Sequence, residues 1–282
     1  MSKVSESEVY ILKVQSTGAN QSVQDILAVE EPLEIRLIYG PAENRQTKSI
    51  SITMRTPGHD FELATGFLFT EGIVNHYEEI SKIYHSPSLL NPDNILLVEL
   101  KEHISPDMIK LERNFYTTSS CGVCGKASID AVRTTGNLSR SKDEVPIKIN
   151  KQMFYTLPDR LRMHQDIFEN TGGLHASALF DLEGNLIVAK EDVGRHNALD
   201  KLIGYTLSQG ILPLNKHILL LSGRASFELV QKAAMAQIKI IAAVGAPSSL
   251  AVEMAKDFGI TLIGFLRDQR FNVYCGEERI VG

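Results

Sequence analysis

The second half of the chain constrains the fold most. Short continuous apolar runs, HILLL (217–221), IIAAV (240–244) and ITLIGFL (260–266), alternate with amphipathic segments. A strand buried on one face alternates apolar with polar residues. A strand apolar at every position is covered on both faces, which is the pattern of a parallel sheet with helices on each side. The segments between the runs, RHNALDKLIGYTLSQG, SFELVQKAAMAQI and SSLAVEMAKDFG, have helical spacing, the first closed by Gly210. ASALFD and NLIVAKEDV read as a hairpin around Glu183, Gly184 and Asn185, and MFYTLPDRLRMHQDIFENTGG as mostly helical, with Pro158 at a start or a kink.

The first half has a different texture. LEIRLIYG and KSISITMRT alternate and predict a strand pair joined by PAENRQT, followed by a helix over DFELATGFLFTEG and strands at IYHSP and NILLVEL. Residues 1–30 are polar and weakly patterned and read as a flexible arm or edge. Residues 31–140 form a β-rich subdomain, with a short helix at KASIDAVRTTG. The charged stretch NLSRSKDEVPIK near residue 140 marks the junction to an α/β domain over 141–282. The fold class is α/β, or α+β taken as a whole.

Composition narrows the partners. A net charge of -5 argues against a protein that covers nucleic-acid phosphates broadly, so an anionic ligand needs a local arginine cluster. No run of about 18 apolar residues predicts a membrane span. MSKVSESEVYILK lacks the pattern of a secretory leader, and three cysteines in 282 residues do not suggest a disulfide scaffold. Together these predict a cytoplasmic protein with reduced thiols.

Ligands of open α/β sheets bind beyond the carboxyl ends of the strands. Three such ends carry polar residues. Ser222-Gly223-Arg224-Ala225-Ser226 precedes a helix whose free N–H groups suit a phosphate. Ala246-Pro247-Ser248-Ser249 offers a serine N-cap, and Leu266-Arg267-Asp268-Gln269-Arg270 follows the last run. With Glu191–His196 these ends can line one crevice for a nucleotide-like anion. For each residue alone, a helix-capping serine or a solvated arginine is the plainer reading, and His196 or Asp192 is equally well a satisfied structural group. Position beyond strand ends ranks Arg224 and Arg270 above Arg195.

The loop TTSSCGVCGKAS holds Cys121 and Cys124. A structural zinc site asks for two short-spaced ligand pairs, and the chain has one; Cys275 lies far along. His175-Ala176-Ser177 has serine where a zinc deaminase carries its glutamate, and the histidine follows the cysteine pair instead of preceding it. A dithiol switch is chemically open, but the loop is not set in a βαβ unit. The remaining option is a thiolate nucleophile, favoured by a helix starting near Gly125 and by a polar, glycine-flanked loop that disfavours burial.

The blocks HDFELATGFLFTEGI, SCGVCG, EDVGRHNALDKLIG, SGRASFELVQKAA and GAPSSLAVEMAKDFGITLIGFLRDQR, in this order, resemble the FdhD family from about Glu31 to the C-terminus. The resemblance implies an accessory sulfurtransferase needed for formate dehydrogenase activity. It implies a persulfide formed on Cys121, with Cys124 as its supporting partner, and an IscS-like cysteine desulfurase as donor. The acceptor would be a molybdenum (or tungsten) bis-molybdopterin guanine dinucleotide cofactor, carried as cargo into formate dehydrogenase, with GDP as a mimic of its nucleotide end. Phe265, Leu266, Arg267, Asp268, Gln269 and Arg270 match the family's cofactor-binding stretch. Ser222, Gly223, Arg224, Ser226 and His196 join them from the strand-end reading, and no metal site is expected. The family's fold is similar to that of cytidine deaminases, a three-layer αβα arrangement, here with a smaller β-rich N-terminal part. A homodimer, without nucleic acid or membrane as partner, completes the expectation. The rival is a non-catalytic chaperone that only binds the cofactor.

Overall fold

The structure is a computed structural model that describes residues 5–87, 92–106 and 147–282. Cys121, Cys124, the helix expected behind them and most of the junction near residue 140 lie outside the described residues.

The described part of the stretch expected as an arm or edge carries a strand pair. β1 (Glu6–Lys13) and β2 (Gln21–Ala28) pair antiparallel along their whole length, although Tyr10, Leu12 and Leu27 stay exposed. β3 (Glu31–Tyr39) and β4 (Gln46–Arg55) form the expected hairpin. With β5 (Ile80–His85) and β6 (Ile95–Leu100) they make a four-stranded sheet of order β4-β3-β6-β5. Leu33, Ile35 and Leu37 of β3 and Leu96, Val98 and Leu100 of β6 alternate onto one buried face. Helix α1 (Asp60–Thr70) covers that face.

The second half holds a six-stranded sheet. Its strands are β8 (His175–Phe180), β9 (Leu186–Asp192), β10 (Ile218–Leu221), β11 (Ile240–Ala243), β12 (Thr261–Arg267) and β13 (Arg270–Cys275), in the order β13-β12-β11-β10-β8-β9. Only β10, β11 and β12 run parallel to their neighbours in the middle; β8 and β13 pair antiparallel. The sheet is mixed: the three apolar runs form its parallel centre, and the β8–β9 hairpin and β13 extend it antiparallel. The continuous apolar runs marked the two-faced centre, and the hairpin partners at the edges carry no such mark. β7 (Ile149–Asn150) pairs with β14 (Ile280–Val281).

Both faces of the sheet are covered, as its apolar runs require. α5 (Arg195–Ser208), α6 (Phe227–Met235) and α7 (Ser249–Asp257) bury Leu179, Leu219, Leu221, Ile241 and Leu262 on one side. On the other, α2 (Lys151–Phe154) and α3 (Leu157–Arg162) bury Ala178, Phe180, Leu220 and Ile263. The segment expected to be mostly helical breaks into α2, α3 and α4 (Asp166–Thr171), with Pro158 in the first turn of α3, where its missing N–H costs nothing.

Helix α5 is shared by the two sheets' cores, because α1 lies directly against it. A Cβ built on Gly66 would run into the carbonyl oxygen of Asp200, and one on Gly204 into that of Glu62. Only glycine at both positions lets the backbones approach so closely. Charges trapped at this seam are paired. Lys232 Nζ donates to Asp200 Oδ1 and Oδ2 at 3.0 and 2.9 Å, and Thr70 Oγ1 donates to Asp200 Oδ1 at 2.8 Å. From the middle of α5, Lys201 Nζ lies 2.7 Å from Asp192 Oδ2 and donates to the Thr56 carbonyl at 2.9 Å. Asp192, fully buried, also accepts from the backbone N–H groups of Thr56 and Gly194 and from Asn197 Nδ2. The β4–α1 connection and the β9–α5 connection are thereby tied to one carboxylate.

Gly204→Ala is expected to destabilise the protein by about 3 kcal/mol, since the added methyl has only backbone to displace. Asp192→Ala, which strands the Lys201 ammonium, is expected to cost about 3–5 kcal/mol. Urea unfolding followed by circular dichroism measures both; a loss under about 1 kcal/mol in either variant contradicts the role assigned to it.

Candidate functional site

Strands β9, β10, β11 and β12 end at the same edge of the six-stranded sheet, and β8 and β13 begin there. The first turns of α5, α6 and α7 therefore collect at this edge. Loop backbones lace it together. Gly245 N–H donates to the Gly223 carbonyl at 3.0 Å, Phe265 N–H to Gly245 at 3.1 Å, and Ser248 N–H to Ala225 at 3.0 Å. Ser222 is held from two sides, donating its N–H to the Ala176 carbonyl at 3.0 Å while its Oγ accepts from Ala176 N–H at 2.8 Å.

A cleft of about 450 Å³ opens at this edge, on the face covered by α3 and α4. Leu161, Phe168, Leu174, Val244 and Leu266 give it apolar walls. Arg162, Gln165, His175, Ser222 and Arg267 are its polar side chains, and no acidic residue lines it among the described residues. Its position is fixed by a carboxylate on the neighbouring strand. Glu191 accepts from the backbone N–H groups of Ile167 and Phe168 at 3.3 and 3.1 Å and so holds the start of α4. Gly223 is also part of the wall and lies close to His175, whose Nδ1 would be 3.2 Å from a Cβ added there.

Of the residues expected from the sequence, Ser222, Gly223, Leu266 and Arg267 line this cleft. Arg224, Ser226, His196, Phe265, Asp268, Gln269 and Arg270 are not among its lining residues. The stretch after the last apolar run is not a loop beyond a strand end. β12 continues to Arg267, a two-residue turn at Asp268 and Gln269 reverses the chain, and Arg270 opens β13 opposite Arg267. Both turn residues have positive φ, 52° and 56°, as a tight hairpin turn with right-handed strand twist requires. Phe265 too is held at φ 54°, at an irregularity between Gly264 and Arg267 that re-aims the end of β12. This sends Leu266 into the core, 1% exposed, and leaves Arg267 to Arg270 at the surface.

The serines also divide differently from expectation. Ser248 caps α7, its Oγ accepting from Ala251 N–H at 3.2 Å, while Ser249 is the first helical residue. Ser226 precedes α6 without capping it; its Oγ lies 3.3 Å from His196 Nε2. His196 Nε2 sits 2.7 Å from Glu228 Oε2, so the histidine bridges the starts of α5 and α6. Asp192 is committed to Lys201 and the backbone around it and does not reach a ligand.

Sequence reasoning missed Arg162, Gln165 and His175 as cleft residues. In the sequence His175 stands out only as a candidate zinc ligand, and among the described residues no group of three His, Cys, Asp or Glu side chains is placed to hold a metal. Its imidazole is half-buried, and burial pushes its pKa below the ordinary histidine value, helped by the neighbouring Arg195, His196 and Arg224 against the opposing pull of Asp192. The arrangement suits an anion: two guanidiniums, a serine hydroxyl and a titratable ring around an apolar slot. No described helix is long and apolar enough to cross a membrane.

Comparison with known proteins agrees with this architecture. The crystal structure of a protein from Desulfotalea psychrophila, described as a formate dehydrogenase accessory protein, matches with a TM-score of 0.70 at 24% identity, covering 98% of this chain and 99% of its own; at that identity the likeness speaks for the fold. The sulfur carrier protein FdhD of Streptomyces avermitilis is 51% identical over 267 residues, 93% of this chain and 92% of its own length. The protein of the same name from Sulfolobus acidocaldarius is 42% identical over 273 residues, 97% and 98% of the two chains. The model of the FdhD/NarQ family matches residues 28–281, and the chain belongs to that family.

Proposed function

We propose that this protein is a sulfur carrier serving formate dehydrogenase. It takes sulfur from a cysteine desulfurase and passes it to a molybdenum bis-molybdopterin guanine dinucleotide cofactor, which it holds as cargo in the cytoplasm. The name shared by its relatives supports the carrier role. The observation that carries the cargo reading is the cleft at the carboxyl edge of the sheet, with Arg162, Arg267 and His175 among its lining and no acidic residue among the described ones. A nucleotide end supplies what such a cleft lacks: phosphate charge for the guanidiniums and a flat ring for the slot between Leu161, Phe168 and Leu266.

The sulfur steps belong to the two cysteines of the SCGVCG loop. The Cys121 thiolate attacks the terminal sulfur of the donor's persulfide, the donor's own thiolate leaves, and Cys121 carries –S–SH. Attack by the Cys124 thiolate on the inner sulfur then breaks the S–SH bond, releases HS⁻ for the acceptor and leaves a Cys121–Cys124 disulfide, the two cysteine sulfurs giving up the two electrons that reduce the departing sulfur. C-x-x-C spacing permits that ring closure, and a thiolate is the species that each step needs. Arg224, Ser226 and His196, grouped at the starts of α5 and α6, flank the cleft rather than line it and contribute to the field around the cargo. The protein works as a homodimer in this reading.

Two measurements test it. After incubation with an active cysteine desulfurase and cysteine, the intact protein is expected to gain one sulfur in mass, removable by reductant and absent from Cys121→Ala. No gain would leave only the cofactor-binding chaperone. In calorimetric titration, Arg267→Ala is expected to weaken GDP binding by about tenfold, the loss of one charge-assisted hydrogen bond. Arg270→Ala, across the turn, is expected to weaken it less; unchanged affinity in Arg267→Ala removes that residue from the site.

A further inference from the structure

His175 has a place in the cleft that the sulfur chemistry does not use. It starts β8 opposite Asp192 and its ring packs against the backbone of Gly223, so its position is set by two neighbouring strands. The charged groups that act on it come from every adjoining element: Arg195 and His196 from α5, Arg224 from the β10–α6 loop and Asp192 from β9. Arg162 of α3 and Arg267 of β12 share the cleft lining with it.

The acids nearby are already engaged. Asp192 is bound by Lys201, Asn197 and two backbone N–H groups, and Glu228 is engaged by His196. Surrounded by cations and half-buried, the imidazole favours its neutral form without a bound anion. A phosphate group among the same guanidiniums reverses the sign of the local field. The charged imidazolium then gains an ion pair where burial and repulsion had outweighed the pull of Asp192.

We propose that His175 is a binding residue of the cleft that takes up a proton as a phosphate-bearing ligand enters, making capture proton-coupled and tighter at lower pH. This rests on the cleft being the cargo site. The sign follows from linkage. The ligand binds the protonated form more tightly, so its affinity is highest below the free pKa of His175, which lies under the ordinary value of about 6.5. Affinity falls, by at most about tenfold per pH unit for one proton, as pH rises from the free to the bound pKa, and is flat above the latter.

The probe is diguanosine pyrophosphate, whose two phosphodiester charges do not titrate near neutrality. Calorimetric titrations from pH 5.5 to 8.0, in buffers of different ionisation heat, read affinity and proton uptake together. The wild-type protein is expected to take up a fraction of a proton approaching one at about pH 6, and its Kd to rise about fivefold or more between pH 6 and pH 8. His175→Asn is expected to lose both the proton uptake and the pH dependence of Kd, and to bind more weakly than the wild type at pH 6. His175→Gln serves as the second variant should the first misfold by circular dichroism. Binding without proton uptake, or uptake that persists in the folded variant, overturns the role of His175 alone. No binding at any pH takes down the cargo site itself, and this inference with it.

Discussion

The close crossing of α1 and α5 is the contact on which the rest of the architecture depends. Gly66 and Gly204 bring two helix backbones together where any side chain would collide with a carbonyl. That approach lets one helix serve two sheets, and Leu33 and Leu37 of the four-stranded sheet share a continuous core with Leu199, Leu219 and Leu262 of the other half. The seam also traps charge. Asp200 with Lys232, and Asp192 with Lys201, are buried pairs with further hydrogen bonds from Thr70, Asn197 and the backbone. Removing either partner of such a pair costs far more than the pair contributes as a whole, because an uncompensated buried charge remains.

The same seam shapes the site by using up its acids. The EDVGRH segment looks functional in sequence, and three of its polar residues turn out to position something. Glu191 anchors the start of α4, Asp192 ties two connections together, and His196 is held by Glu228. With those carboxylates engaged elsewhere, the cleft around Arg162 and Arg267 has no acidic lining among the described residues. The basic lining of the cleft is as much a consequence of where the acids are committed as of where the arginines stand. The strained residues Phe265, Asp268 and Gln269 gather at the neighbouring hairpin, where backbone strain sets the aim of Leu266 and Arg267.

The central strands β10 to β12 and the helices between them were legible, because a strand buried on both faces is apolar at every position and the intervening helices repeat at helical spacing. The β3–β4 hairpin was legible for the complementary reason: one of its faces is buried. The β1–β2 hairpin was not, since its exposed Tyr10 and Leu12 break the rule that links apolar residues to a core. β13 was hidden by its charged start, where Arg270 follows a turn that lacks glycine.

For the site, sequence alone determined that polar strand ends would meet at one sheet edge, since strand direction follows from chain order and helix connection. It also placed Ser222, Gly223, Leu266 and Arg267 at that edge. Which neighbours complete the cleft was decided by tertiary structure. Arg162 and Gln165 come from helical segments far from the strand ends in the chain, and His175 becomes a cleft residue only because β8 inserts antiparallel between β9 and β10. A residue's chemistry is local, but its surroundings are made by chain segments that the sequence does not mark as neighbours.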